Sequence, residues 1–217
     1  YQVDFVGHPL LDAVGNSYSF DKGSDSRPVV ALLPGSRKQE ISAMLPLMVA
    51  TAQKFPDHRF VIAAAPSIPK DFYESFNPDG FVEIVYGNTY GLLTAARAAL
   101  VTSGTATLET ALFQVPQVVC YRGNAISYHI ARWLVKVKYI SLVNLVMDSE
   151  CVTELIQHKL NLINMEDELR KILSDSIERS RLLNDYGRLN QMLGGKGASK
   201  RAASIIFDDL VSVKNVK

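Results

Sequence analysis

Hydrophobic residues in this chain gather in short unbroken runs, and the stretches between them place apolar side chains at helical spacing. Val29 to Leu33, Arg59 to Ala64, Val82 to Val85, Ala98 to Thr102 and Gln117 to Tyr121 are predicted strands. Helices are expected near residues 38–54, 70–76, 89–97 and 105–114. In the first of these, Ile41, Met44, Leu45, Met48 and Ala52 form a core-facing stripe. Strands that are apolar on both faces, alternating with helices, predict an α/β fold, a Rossmann-like doubly wound parallel sheet. Upstream, Val3 to Val6 reads as the end of a strand already in progress, and 16–27 as a polar surface loop or linker. Downstream, Met165 to Ser174, Ile177 to Leu193 and Ala198 to Val211 read as helices with solvated, mixed-charge faces. The organisation expected is an α/β domain over 1–165 and C-terminal helices over 166–217.

In a doubly wound sheet ligands bind beyond the carboxyl ends of the strands, so the loops after Leu33 and after Thr102 carry the candidate chemistry. After Thr102 comes Ser103-Gly104-Thr105, then a helix with Glu109 one turn on and on the same face as Thr105. First-turn amides have no intrahelical partner and the dipole is positive there, so the turn can seat a phosphate, with glycine allowing close backbone approach. Phosphate at the turn and hydroxyls at Glu109 together describe a nucleotide or a nucleoside-diphosphate sugar. The same residues also read as ordinary helix caps with a dipole-favoured glutamate. The loop after Leu33, Pro34-Gly35-Ser36-Arg37, puts a cation in a first helical turn, where the dipole disfavours it. An anion between Arg37 and the helix end would explain it; a solvated surface arginine is the alternative. Neither GxxxxGK[ST] nor GxGxxG occurs, and Gly194-Gly195-Lys196-Gly197 starts the last helix, with Ser199 as its cap.

Composition narrows the class. The 217 residues are 47% hydrophobic, enough for a sizeable core, and 23 Lys plus Arg nearly balance 22 Asp plus Glu. That balance argues against nucleic acid as the main partner. Cys120 and Cys151 lie in apolar surroundings without metal-ligand spacing, which reads as buried reduced thiols in a cytoplasmic setting and gives neither a disulfide nor a zinc site. No signal peptide and no membrane-spanning run are found. The chain begins at Tyr1 and is expected to be a piece of something longer. Arg122 is followed by a basic amphipathic stretch with Ile126, Ile130, Trp133 and Val137 on one face and His129, Arg132 and Lys136 on another. It reads either as a core-packing helix or as one resting on an anionic membrane surface.

Six segments in register then carry a resemblance: FVGHPLLD (5–12), LLPGSR (32–37), SGTATLETAL (103–112), VVCYR (118–122), KYISLVNL (138–145) and TELIQ (153–157). Together they closely resemble the lipid-A-disaccharide synthase family. The resemblance implies the C-terminal, donor-nucleotide half of a two-domain GT-B glycosyltransferase. Its reaction would join UDP-2,3-diacylglucosamine to 2,3-diacylglucosamine 1-phosphate with inversion, releasing UDP, with no cofactor and no metal. Carried onto this sequence, Glu109 holds the ribose hydroxyls and Ser103, Gly104 and Thr105 the diphosphate. Arg37, the catalytic residue, neutralises with Ser36 the charge developing on UDP. Arg122, Asn144, Glu154 and Gln157 match substrate-binding positions of the same cleft. The implied partners are the UDP-sugar, the lipid acceptor, an anionic membrane surface and the N-terminal half, which holds the general base. The implied location is cytoplasmic, peripheral on the inner membrane, and the half by itself is expected to be inactive. Many relatives carry a proline at the place of Val143 and a glycine-containing basic loop where Met147-Asp148-Ser149-Glu150 stands, so no donor contact is assigned to that loop.

Two other readings are kept. One is a different UDP-sugar enzyme of the same fold, such as a UDP-N-acetylglucosamine 2-epimerase, against which KYISLVNL and TELIQ speak. The other is a non-catalytic nucleotide-binding or membrane-docking module.

Overall fold

The computed structural model describes residues 3–123 and 138–214; the basic stretch from Ile126 to Val137 lies outside them. Six strands form one fully parallel sheet: β1 (Val29–Leu33), β2 (Arg59–Ala64), β3 (Glu83–Tyr86), β4 (Ala96–Thr102), β5 (Gln117–Tyr121) and β6 (Thr153–Ile156). Their order across the sheet is β3-β2-β1-β4-β5-β6. β1 pairs with β2 on one side and β4 on the other, which explains why all five of its residues are buried. The edge strands are short, and β3 carries the exposed Glu83, as an edge that must not template further pairing does.

Helices cover both faces. α1 (Leu10–Val14), α2 (Lys38–Ala52) and α3 (Lys70–Glu74) lie in the first half, with α4 (Thr89–Ala95) and α5 (Thr105–Leu112) flanking β4. α6 (Leu142–Met147), α7 (Leu162–Leu173), α8 (Ile177–Met192) and α9 (Ala198–Lys214) follow β5. One face holds the larger core: the α2 stripe Ile41, Met44, Leu45 and Met48 packs with Leu108, Met165, Leu169, Leu182 and Tyr186. The other face is thinner, built on Leu92, Leu93 and Val115 with Phe20, Tyr90 and Phe113 at its margin.

The downstream helices join this core. Residue 166, where the sequence reading divides the chain, falls inside α7, whose Met165 and Leu169 are fully buried. Arg179 of α8 donates to the carbonyls of Arg97 and Ile172, and the Tyr186 hydroxyl meets Gln117 Nε2. By contrast α9 leaves Ile206, Phe207 and Leu210 largely exposed.

Three local expectations change. Val3 to Val6 is not a strand: the Val6 carbonyl accepts from the Arg201 guanidinium and the His8 amide donates to Leu193 O, so the segment is tied to the α8–α9 junction, and among the described residues no strand pairs with it. Val3 and Phe5 are exposed. TELIQ contains an unforeseen sixth strand, because a run of four residues with Leu155 and Ile156 as its apolar members is too short to signal by itself. The start of α9 is capped from afar by Asp12, whose carboxylate accepts from the amides of Gly197 and Ser199 and is held below the usual carboxylate range by them.

Candidate functional site

The strand order reverses between β1 and β4, so the loops leaving these two strands diverge and open a crevice at their carboxyl ends. A cavity of about 420 Å³ lies there, within the range that takes a small organic ligand. Its floor is Leu33, Thr102 and the small run Ala63 to Ala65 at the end of β2; Thr89 stands at its rim. Its walls are the two turns singled out from the sequence. Ser36, Arg37, Ser103, Gly104, Thr105 and Glu109 all line it.

The β1–α2 turn is closed on itself by Glu40. The carboxylate accepts from the amides of Ser36 at 3.0 Å and Arg37 at 3.3 Å, and its other oxygen accepts from the Arg37 guanidinium at 2.8 Å. Gly35 has φ +112°, and a Cβ there would lie 2.6 Å from Glu40 Oε2, so only glycine lets the carboxylate fold back this way. Arg37 is the extended residue before α2, not part of its first turn, and its side chain is 80% exposed. The anion that the sequence argument demanded beside Arg37 is therefore supplied within the chain. Such an exposed pair is worth little in water, which leaves the guanidinium available to a stronger anion.

The β4–α5 turn is open. Gly104 precedes α5, and among the described residues nothing stands within 4 Å of where a side chain on it would project. The Thr107 hydroxyl donates to the Gly104 carbonyl at 2.8 Å, while the amides of Thr105 and Ala106 in the first turn have no intrahelical acceptor. Glu109 lies one turn along α5 and accepts from the Tyr90 hydroxyl at 2.8 Å.

This turn is held from behind by a polar network. The Ser103 hydroxyl donates to Ile140 O at 2.9 Å. The amides of Ile140 and Ser141 donate to the Glu154 carboxylate at 3.0 and 2.9 Å, which also accepts from Asn144 Nδ2 at 2.9 Å. Asn144, fully buried, further donates to Val152 O and accepts from the amides of Cys151 and Val152. Asn144 and Glu154 thus brace the start of α6, whose N-cap is Ser141, and fix the segment that anchors Ser103, rather than lining the cavity. Nor do Arg122 and Gln157 line it: Arg122 donates to Leu160 O at 2.6 Å and Gln157 Nε2 to Gly123 O at 3.2 Å, joining the loops beyond β5 and β6. Burial pushes the thiols of Cys120 and Cys151 up to about 12, so both stay protonated and unreactive at neutral pH.

Glu40, Tyr90, Thr102 and the Ala63–Ala65 floor were not singled out in the sequence. Glu40 carried a local signal, a glutamate three residues after the residue that precedes a helix. Tyr90 carried none, since its partner is 19 residues away.

Comparison with known proteins gives this geometry a lineage. Among solved structures the fold is similar to the calicheamicin glycosyltransferase CalG4 (TM-score 0.57, 18% identity, 88% of this chain and 45% of that one). It is also similar to a UDP-N-acetylglucosamine 2-epimerase from Listeria monocytogenes described as putative in its own right (TM-score 0.59, 12% identity, 95% and 53%). At these identities the likeness shows the fold alone, an α/β domain of the GT-B glycosyltransferase class. Among curated sequences, the lipid-A-disaccharide synthase of Syntrophus aciditrophicus (strain SB) is 39% identical over 215 residues, covering 93% of this chain and 56% of that protein. Lipid-A-disaccharide synthase 1 of Legionella pneumophila (strain Philadelphia 1) is 31% identical over 222 residues, covering 97% and 57%. The chain spans little more than half the length of these relatives. A sequence model described as lipid-A-disaccharide synthetase matches residues 1–206. With the six segments in register and the two turns meeting at one crevice, the chain belongs to the lipid-A-disaccharide synthetase family.

Proposed function

We propose that this chain is the donor-nucleotide-binding half of an inverting glycosyltransferase that makes the lipid A disaccharide from UDP-2,3-diacylglucosamine and 2,3-diacylglucosamine 1-phosphate. The observation that carries the reading is the convergence of Arg37, the open N-terminus of α5 and Glu109 on one cavity at the strand-order reversal of a chain of this family. In the reaction an acceptor hydroxyl attacks the anomeric carbon opposite the diphosphate. The new carbon–oxygen bond forms as the bond to the diphosphate oxygen breaks, and UDP leaves. Negative charge grows on the diphosphate as it departs. The Gly104 backbone and the first-turn amides of Thr105 and Ala106, Ser103 and Ser36, and the Arg37 guanidinium, released from Glu40, are the donors that meet it. Glu109 accepts from the ribose hydroxyls. These donors do the work that a divalent cation does elsewhere, so the reading needs no metal.

The general base and most of the acyl-chain surface belong, on this reading, to the N-terminal half, for which the exposed Ile206, Phe207 and Leu210 of α9 offer an apolar seat. Among the described residues no helix is long and apolar enough to cross a membrane; the acylated substrates make peripheral contact with the inner membrane, from the cytoplasmic side, part of the proposal. The test is a product assay on the two-domain protein. Given the acylated donor and the acceptor, it should release UDP and a disaccharide phosphate, and with EDTA present it should still do so. Transfer only from a water-soluble donor such as UDP-N-acetylglucosamine, or no disaccharide at all, would contradict the reading.

A further inference from the structure

We infer that Tyr90 is a positioning residue for Glu109, fixing its carboxylate in the orientation that accepts a pair of neighbouring ribose hydroxyls; the inference rests on the ribose role given to Glu109 above. Tyr90 is the second residue of α4, on the thin face of the sheet, and its hydroxyl donates to Glu109 Oε1 at 2.8 Å. Among the described residues it is the one hydrogen-bond partner of that carboxylate. A glutamate side chain left to itself samples many rotamers, and ordering it on binding costs affinity. The phenol removes that cost in advance, provided the phenol is itself held.

It is held on two sides. The Tyr90 ring meets Tyr18 edge-on with centroids 5.1 Å apart and lies against Phe113 at 5.1 Å, while Tyr18 and Phe113 are 6.0 Å apart. Tyr18 is pinned in turn, its hydroxyl donating to Ala13 O at 2.8 Å. The three rings form one aromatic block behind the carboxylate. Burial and the neighbouring Glu109 push the phenol above its ordinary range, so it remains a proton donor throughout the neutral range. Each carboxylate oxygen has two lone pairs; Tyr90 occupies one on Oε1 and leaves Oε2 and the rest of Oε1 for the ligand. The segment at 16–27, read from sequence as a surface loop, thereby acquires a part in the site through Tyr18.

The test is calorimetric titration of the 217-residue chain with UDP and with 2′,3′-dideoxy-UDP, repeated on Tyr90→Phe and Glu109→Gln. Tyr90→Phe keeps the ring block and removes only the donor, and thermal melting checks that it folds. The expected result is a loss of about three- to tenfold in UDP affinity for Tyr90→Phe, the size of one net hydrogen bond, with dideoxy-UDP unchanged. A Tyr90→Phe variant that loses nothing, or loses equally on both ligands, overturns the inference when Glu109→Gln still loses selectively on UDP. If Glu109→Gln weakens both ligands alike, or the unaltered chain binds them equally, the ribose role of Glu109 fails and the inference falls with it.

Discussion

The two turns that wall the cavity are built from the same parts and solve opposite problems. Each follows a buried parallel strand, contains a glycine and a serine, and opens a helix. The β1–α2 turn satisfies itself: Glu40 folds back on the amides of Ser36 and Arg37 and neutralises the Arg37 guanidinium. The β4–α5 turn has no such group and leaves its first-turn amides toward the cavity, its shape being maintained from outside through Ser103, Ile140, Glu154 and Asn144. One turn therefore brings a movable charge, and the other a rigid, neutral seat. A site for a departing diphosphate needs both, since the charge must follow the leaving group while the amides stay preorganised.

The largest effect should come from breaking the external support. Asn144→Ala leaves the amides of Cys151 and Val152, the Val152 carbonyl and one contact of Glu154 without their partner in a fully buried place. It is expected to cost about 3 kcal/mol, seen as a fall in melting temperature of roughly 6–12 °C. No comparable variant exists in the self-contained turn, where every partner is near solvent. Next is the charge: Arg37→Ala should weaken UDP about tenfold or more while leaving uridine nearly unaffected, the loss of one charge-assisted contact to phosphate. Equal losses on the two ligands, measured by calorimetry, would contradict the role given to the movable turn. Glu109→Ala should weaken UDP and uridine alike, because both carry the ribose.

Smallest is Glu40→Gln. Glutamine still accepts from the two amides but no longer competes for Arg37, so UDP affinity should rise by up to about twofold and uridine affinity stay the same. A fall in UDP affinity would mean that Glu40 holds Arg37 in place for the ligand instead of against it.

What the sequence disclosed follows the range of the forces involved. β1, β2 and β5, the α2 stripe and both turns were legible because each is written in contiguous residues: an unbroken apolar run, a 3.6-residue period, a glycine between strand and helix. Asn144 and Glu154 entered as substrate-binding positions implied by the resemblance; the backbone groups they hold come near only on folding, so their supporting part is not written in local sequence. Tyr90 and Asp12 were silent for the same reason: their partners lie 19 and about 185 residues away. Arg37 was legible as a cation in need of an anion, and Glu40, three residues on, is the anion the structure supplies.

The central claim, that the two turns form one nucleotide site, is tested most directly by calorimetric titration of the chain with UDP, with AMP and CMP as controls, followed by the same titration on Glu109→Ala. The account predicts saturable binding of UDP, markedly weaker or absent binding of AMP and CMP, and loss of the UDP signal in the variant. Equal binding of all three nucleotides, UDP binding indifferent to Glu109, or no UDP binding even by the two-domain protein would contradict it.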